Sequence, residues 1–285
     1  MRHPGPRPAR ALASRTTSDP LAEGTESHYQ DARHYTANYQ KRVEDIDYYL
    51  SVAESHGGRV LEYGCGNGRI ALPLAHAGFD VAGVDLSATM LRDFRARLKK
   101  TPAAVAERVT LKRGDMRRVK LDRRFDLVLC TFNTFLHLYT WQDVERFLTR
   151  VREHLAPRGR FIVDLSIPMP EELARDPKRL FRAPRFRHVT TGEMVRYGER
   201  FAYDPLTQVE MVDMVFEPVD RPRAKWVTPL AHRQFYPQEL EALFHYNGLE
   251  VVKRHADFKP KAPTRDAETL IYHCRARRST SRSAK

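Results

Sequence analysis

From residue 59 onward, short apolar runs alternate with stretches of helical period. Val60-Leu61 and residues 80–85, 107–112, 125–130 and 160–165 have the length and the Val, Leu and Ile content of buried strands. The first helical stretch, 68–77, stops at Gly78, and Pro73 inside it is expected to leave one carbonyl unpaired and to bend it. Ser87 is placed as the N-cap of the second, whose Leu91, Phe94 and Leu98 fall on one face. A third spans 141–155, with Val144, Phe147, Leu148 and Val151 on one side and Thr140 with Asp143 as a capping pair. This alternation predicts an α/β protein built on a doubly wound, mostly parallel sheet.

After Asp164 the simple alternation breaks. Residues 195–203 and 209–218 flank an Asp204-Pro205 turn with period-two patterning, and 226–236 supply a third antiparallel candidate, so 176–236 reads as an inserted β-layer or lid. The core resumes with a helix from Pro237 to a stop at Gly248, its Leu240, Leu243 and Phe244 inward, followed by strands at 249–252 and 270–274. Upstream, 28–56 has a helical aromatic stripe of Tyr29, Tyr35, Tyr39, Val43, Ile46 and Tyr49. Residues 1–27 and 275–285 read as disordered basic tails, which leaves 28–274 as one domain with 28–56 as its N-terminal cap.

Candidate chemistry concentrates at the first strand. Residues 60–68 read Val-Leu-Glu-Tyr-Gly-Cys-Gly-Asn-Gly, and Asp85 ends the next apolar run 23 residues after Glu62. Gly64, Gly66 and Gly68 permit a tight turn with backbone close to a ligand, and an acid at this distance can accept both hydroxyl hydrogens of a ribose. The third glycine of the dinucleotide pattern would fall at position 69, which is Arg69. Glu62 would repel the phosphates of NAD or FAD and suits a cationic ligand instead. S-adenosylmethionine carries a sulfonium, an amino group and a ribose but no phosphate, which matches both acids.

With these residues the chain resembles the class I S-adenosylmethionine-dependent methyltransferases, whose first motif has the form acid-x-Gly-x-Gly-x-Gly. Gly114-Asp115-Met116 stands 30 residues after Asp85, where the resemblance implies an acid for the adenine amino group. Phe125 to Cys130 then matches the fourth strand, and Thr131-Phe132-Asn133-Thr134-Phe135-Leu136-His137 the rim where methyl donor and acceptor meet. The resemblance implies a Rossmann-like fold of seven strands, the last one antiparallel. It also implies cofactor contacts for Tyr39, Arg42, Glu62, Gly64, Gly66, Asp85, Leu86, Met90, Asp115, Met116 and Phe132, with Tyr39 and Arg42 at the cofactor carboxylate. His137 and Asn133 are the catalytic candidates, and His232 and Tyr236 come next. The run His232-Arg233-Gln234-Phe235-Tyr236-Pro237 is similar to small-molecule N-methyltransferases acting on amino acids and amino sugars.

A chain of 285 residues can bury a sizeable core, and no segment reaches the length of a membrane span. Cys65, Cys130 and Cys274 are scattered and expected to be reduced and buried, as in a cytoplasmic protein, and no metal-ligand spacing occurs. Of the formal net charge of +13, the two ends carry +6. Much of the rest lies in Lys178, Arg179, Arg182, Arg185 and Arg187, a run that suits an acidic partner or a solvated face. The leading expectation is therefore a small-molecule methyltransferase, N- rather than O-directed, with a homodimer through the β-layer as one arrangement. Methylation of tRNA or protein guided by the basic run is the alternative, and a non-catalytic binding protein on the same fold is the third. The absence of an Asn-Pro-Pro-Tyr-type motif at 131–134 argues against enzymes that methylate exocyclic amines of bases.

Overall fold

The computed structural model describes residues 19–277. Its helices and strands run, in chain order, α1 (Pro20–Glu26), α2 (Ala32–Tyr39), α3 (Glu44–His56), β1 (Arg59–Tyr63), α4 (Ala71–His76), β2 (Asp80–Asp85), α5 (Ala88–Leu98), α6 (Ala103–Ala106), β3 (Val109–Arg113), β4 (Phe125–Cys130), α7 (Trp141–His154), β5 (Leu155–Ser166) and α8 (Pro170–Leu173). The inserted layer follows as β6 (Phe181–Arg187), β7 (Met194–Asp204), β8 (Val209–Pro218) and β9 (Trp226–Arg233). The chain then returns through α9 (Pro237–Tyr246), β10 (Leu249–Ala256) and β11 (Thr269–Ala276).

Seven strands form the main sheet in the order β10-β11-β5-β4-β1-β2-β3. β11 is antiparallel to both neighbours, and the pairs among β5, β4, β1, β2 and β3 are parallel. Strand periodicity sends alternate residues to opposite faces. Leu61, Val128, Cys130, Phe161 and Val163 pack with Phe147, Leu148 and Phe244, from α7 and α9. Val60, Leu127, Leu129 and Ile162 pack with Tyr49, Leu74 and Phe94, from α3, α4 and α5. Burying each such side chain contributes roughly 1.5–3 kcal/mol, so the two apolar layers fix the strand ends that carry the site. The sheet is wound outward in opposite directions from β1 and from β4, and this reversal of strand order opens a crevice at their carboxyl ends, the usual ligand position in an open α/β sheet.

The structure changes four expectations. Residues 20–26 of the segment assigned to the N-terminal tail form α1, with Asp19 accepting from the Leu21 N–H and Pro20 at the first helical position. The tail segments 1–18 and 278–285 lie outside the described residues, while Arg275 and Ala276 belong to β11. The cap 28–56 is broken into α2 and α3 at Gln40–Val43. Pro73 sits in the first turn of α4, where an N–H has no intrahelical partner to lose, so no helical bond is broken there. The basic run contains an edge strand, β6, hydrogen-bonded only to β7 in the four-stranded antiparallel sheet β6-β7-β8-β9. Arg182, Arg185 and Arg187 stay exposed on it, which guards an open edge against further pairing.

Candidate active site

The loop after β1 is shaped by its glycines and locked to β2. Gly64 and Gly66 have φ of +67° and +53°, a region in which side chains are strained. Amide N–H groups of Gly64 and Cys65 both reach the Val84 carbonyl, at 2.8 and 3.1 Å. Asp85 closes the arrangement: one carboxylate oxygen accepts from the Gly66 N–H and the other from the Ser87 N–H, each at 2.7 Å. Burial pushes the Asp85 carboxyl up, and the two N–H donors oppose it. Ser87 in turn caps α5, accepting from the Met90 N–H at 3.2 Å.

These groups border a cavity of about 200 Å³. Gly64, Gly66, Asp85, Leu86 and Met90 form one side, Asp115 and Met116 the far end, and Phe132, Thr134 and His137 the rim. Asp115 is gripped by Arg117, whose Nη2 lies 2.8 Å from Oδ2, while Nη1 of the same guanidinium reaches Asp143 at 2.8 Å. Burial disfavours the Asp115 anion, but the Arg117 guanidinium and backbone N–H outweigh it and hold the carboxyl below its ordinary range. A further part of the lining is Thr25, Glu26, Tyr29 and Gln30, in and just after α1; Tyr29 and Gln30 fall within the expected cap, whereas Thr25 and Glu26 were missed in the sequence. Asp19-Pro20, an N-cap followed by proline, is the signal that marks this helix.

Glu62 lies behind the cavity lining. It is buried, and its Oε1 accepts from the Thr131 hydroxyl at 2.9 Å, but its Oε2 has no partner. Burial, only partly opposed by Thr131 and Arg69, pushes its carboxyl up to about 8. A buried carboxylate oxygen without a donor fits a cationic group. Tyr39 and Arg42 are not in the lining. The Tyr39 ring and the Arg42 guanidinium pack on Phe132, at 5.0 and 4.9 Å, and Arg69 joins them there while holding Asp45 with two hydrogen bonds of 2.8 and 2.6 Å.

Asn133 has a different place from the one expected. Its amide is spent on β5, with Oδ1 accepting from the Ser166 N–H at 2.8 Å and Nδ2 donating to the Ser166 hydroxyl at 3.0 Å. Phe132 and Asn133 have φ of +55° and +62°, a conformation that persists only when its surroundings impose it. Asp164 supplies the other restraint, accepting from the Phe132 N–H at 2.9 Å and from the Tyr49 hydroxyl at 2.5 Å. Asn133 therefore shapes the rim and does not face the cavity.

His137 does face it, and it has a hydrogen-bonding partner there. Its Nε2 is 2.8 Å from the Tyr29 hydroxyl and its Nδ1 3.3 Å from the Tyr139 hydroxyl. Tyr139 donates to the Ala231 carbonyl at 3.0 Å, so its oxygen accepts from His137 Nδ1–H and Nε2 accepts from Tyr29. Burial, with His28 adding to it, lowers His137 to about 4, so the ring is neutral near pH 7. His232 is stacked edge-on at 5.0 Å and is also held neutral, by burial and by His137 and His28. Tyr236 is part-exposed at the start of α9. No cluster of three or more metal-ligating side chains occurs among the described residues.

Residues 60–159 match the family model described as methyltransferase domain. That stretch, from β1 to within β5, is thus similar to a methyltransferase domain. A dTDP-3-amino-3,6-dideoxy-alpha-D-glucopyranose N,N-dimethyltransferase of Streptomyces fradiae is 32% identical over 127 residues, 45% of this chain and 47% of that protein. A glycine/sarcosine N-methyltransferase of Aphanothece halophytica is 27% identical over 161 residues, 51% of this chain and 58% of that protein. The chain thus spans about half the length of these relatives. Across the whole fold, the CcbJ methyltransferase from Streptomyces caelestis superposes with a TM-score of 0.73 at 23% identity, covering 92% of this chain and 100% of that one. The fold, over 92% of the chain, thus has a solved counterpart. No helix among the described residues is long and apolar enough to cross a membrane.

Proposed function

We propose that the protein is an S-adenosylmethionine-dependent N-methyltransferase acting on a small amine. The observation that carries this reading is the meeting, in one cavity, of the ribose-type acid Asp85 with the Tyr29–His137 hydrogen bond. The donor set suits the cofactor: Asp85 retains lone pairs for two hydroxyls, Asp115 and Met116 bound the adenine end, and Glu62 holds an unpaired oxygen for a cationic group. When bound, S-adenosylmethionine supplies an electrophilic methyl group on a good leaving group.

The chain must align the acceptor, exclude water and manage one proton. Tyr29 donates its only proton to His137, so its oxygen lone pairs are available to an acceptor N–H. Such a contact orients a neutral amine with its own lone pair toward the methyl. After transfer, the nitrogen carries the extra proton, which leaves to solvent or along Tyr29 to the neutral His137. Small amines are favoured over tRNA because α1 and the turn after it close over the cavity, with β9 packed behind α1, while the exposed arginines of β6 lie on an edge of the separate sheet.

The three free, buried cysteines support a reducing compartment such as the cytoplasm. Transfer of an isotopically labelled methyl group to a panel of amino sugars, amino acids and their hydroxyl analogues tests the proposal. Label should enter amines and spare the hydroxyl analogues; transfer confined to hydroxyl groups or to RNA would overturn it.

A further inference from the structure

A second cavity, of about 420 Å³, is lined by residues of α3 and of the strands β5, β10 and β11, and shares no lining residue with the first. Its floor is the buried trio Tyr48, His255 and His273, joined through one hydroxyl: Tyr48 Oη is 2.8 Å from His255 Nδ1 and 2.6 Å from His273 Nε2. Its walls add His56, Arg160 and Lys253, with the hydroxyl-bearing Ser51 and Ser55 from α3, and no acidic residue. A β-bulge between Val251 and Lys253 interrupts the pairing of β10 with β11 at this point, and bulges re-aim side chains. Among the described residues, the hydrogen bonds of the Arg160 guanidinium go to the backbone carbonyls of Arg158 and Gly159, at 3.2 and 3.4 Å.

We propose that this cavity is an anion site that takes a phosphate-type dianion. Two basic side chains, Arg160 and Lys253, border a polar floor in a lining that contains no carboxylate. Like charges gathered around a concave, partly desolvated site raise the local potential for an anion. Convergence is visible in His273, which burial first, and then His255, Lys253, His56 and Arg160, bring down to about 3. Fixed charges on both sides of the bowl favour a dianion over a monocarboxylate, and hydroxyl, imidazole and guanidinium donors from three elements suit a tetrahedral group. The methyl-transfer chemistry does not use any of these residues.

The test is calorimetric titration of the full chain with inorganic phosphate at constant ionic strength, alongside Arg160→Gln/Lys253→Gln. Arg160 is half-buried and Lys253 exposed, so the variant keeps the buried trio of the floor, and its circular dichroism and thermal midpoint check the fold. Wild type should bind one phosphate saturably, sulfate should displace it, equal acetate should not, and the double variant should bind at least tenfold more weakly. Glycerol 3-phosphate binding as well as or better than phosphate marks a phosphomonoester as the occupant, and failure to bind marks the free anion. Absence of saturable phosphate binding in wild type, displacement by acetate as readily as by sulfate, or equal affinity in the folded double variant overturns the site.

Discussion

Glu62 shows how one side chain can be unfavourable alone and useful with a ligand. Its folded pKa, raised by burial to about 8, lies above the ordinary carboxylate value. The folded state therefore holds its proton more tightly than the unfolded state, and stability linked to this group is lost as pH rises toward and through 8. Glu62→Gln should thus raise the thermal midpoint of the cofactor-free protein at pH 9 relative to wild type, yet weaken S-adenosylmethionine binding roughly tenfold, the scale of one charge-assisted bond. A variant that loses stability at pH 9 and binds normally would mean that Glu62 has a structural role only. Tyr29 and His137 act on the acceptor side. Tyr29→Phe and His137→Asn should lower turnover by on the order of a hundredfold while cofactor affinity stays within a few-fold; equal losses in both would place them in the donor site. The glycines and strand-end acids were legible in the sequence because backbone conformation and strand boundaries are local properties. Tyr29 facing His137 was not, since the two are 108 residues apart, and neither residue type signals its partner.

At the scale of elements, the site depends on two supports that a pattern of apolar residues does not reveal. The rim after β4 is held in its left-handed turn by Asp164 and by Asn133 with Ser166, an arrangement made by side chains from another strand. α1 is seated on β9 through Gly24, where a Cβ would lie 2.7 Å from the Ala231 Cβ and 2.9 Å from the Ala231 N. Gly24→Leu should therefore unseat α1, speed proteolysis near residues 20–26, and cut turnover more than tenfold with the main sheet intact. Unchanged proteolysis and turnover would show that α1 does not roof the reaction. α1 went unread because its arginine-rich, proline-rich neighbourhood suggested a tail, although Asp19-Pro20 is a helix start. β6 was obscured for a related reason: an edge strand exposed on most of its surface does not need the alternation that marks a half-buried one. The capped helices α5 and α7 and the turn at Asp204-Pro205 were legible, because capping and turn chemistry are written in adjacent residues.

For the molecule as a whole, the order of the alternating segments was enough for the parallel sheet, whereas the seating of α1 on β9, beside the crevice, comes from long-range packing. Burial has also been extended to many histidines. Among the described residues, eight histidines have lowered pKa values, led by burial in each, among them His28 and His137 at about 4. Four carboxyls are raised, Glu62, Asp85, Asp164 and Glu210. The unfolded histidines take up protons near 6.5, which the folded ones resist to lower pH, so their contribution is full above 6.5 and falls as pH drops below it. The raised acids act in the opposite sense but are outnumbered. The urea midpoint should accordingly decline from pH 7.5 to pH 5; a flat or rising midpoint would contradict the buried neutral histidines. The central claim is the identity of the ligand in the first cavity. Calorimetric titration tests it most directly: S-adenosylmethionine and its demethylated product should each bind one to one, NAD should not, and Asp85→Ala should weaken the binding by about 1–3 kcal/mol, as expected when buried partners lose a hydrogen-bonding acid. Binding of NAD without S-adenosylmethionine, or full affinity in Asp85→Ala, would contradict it.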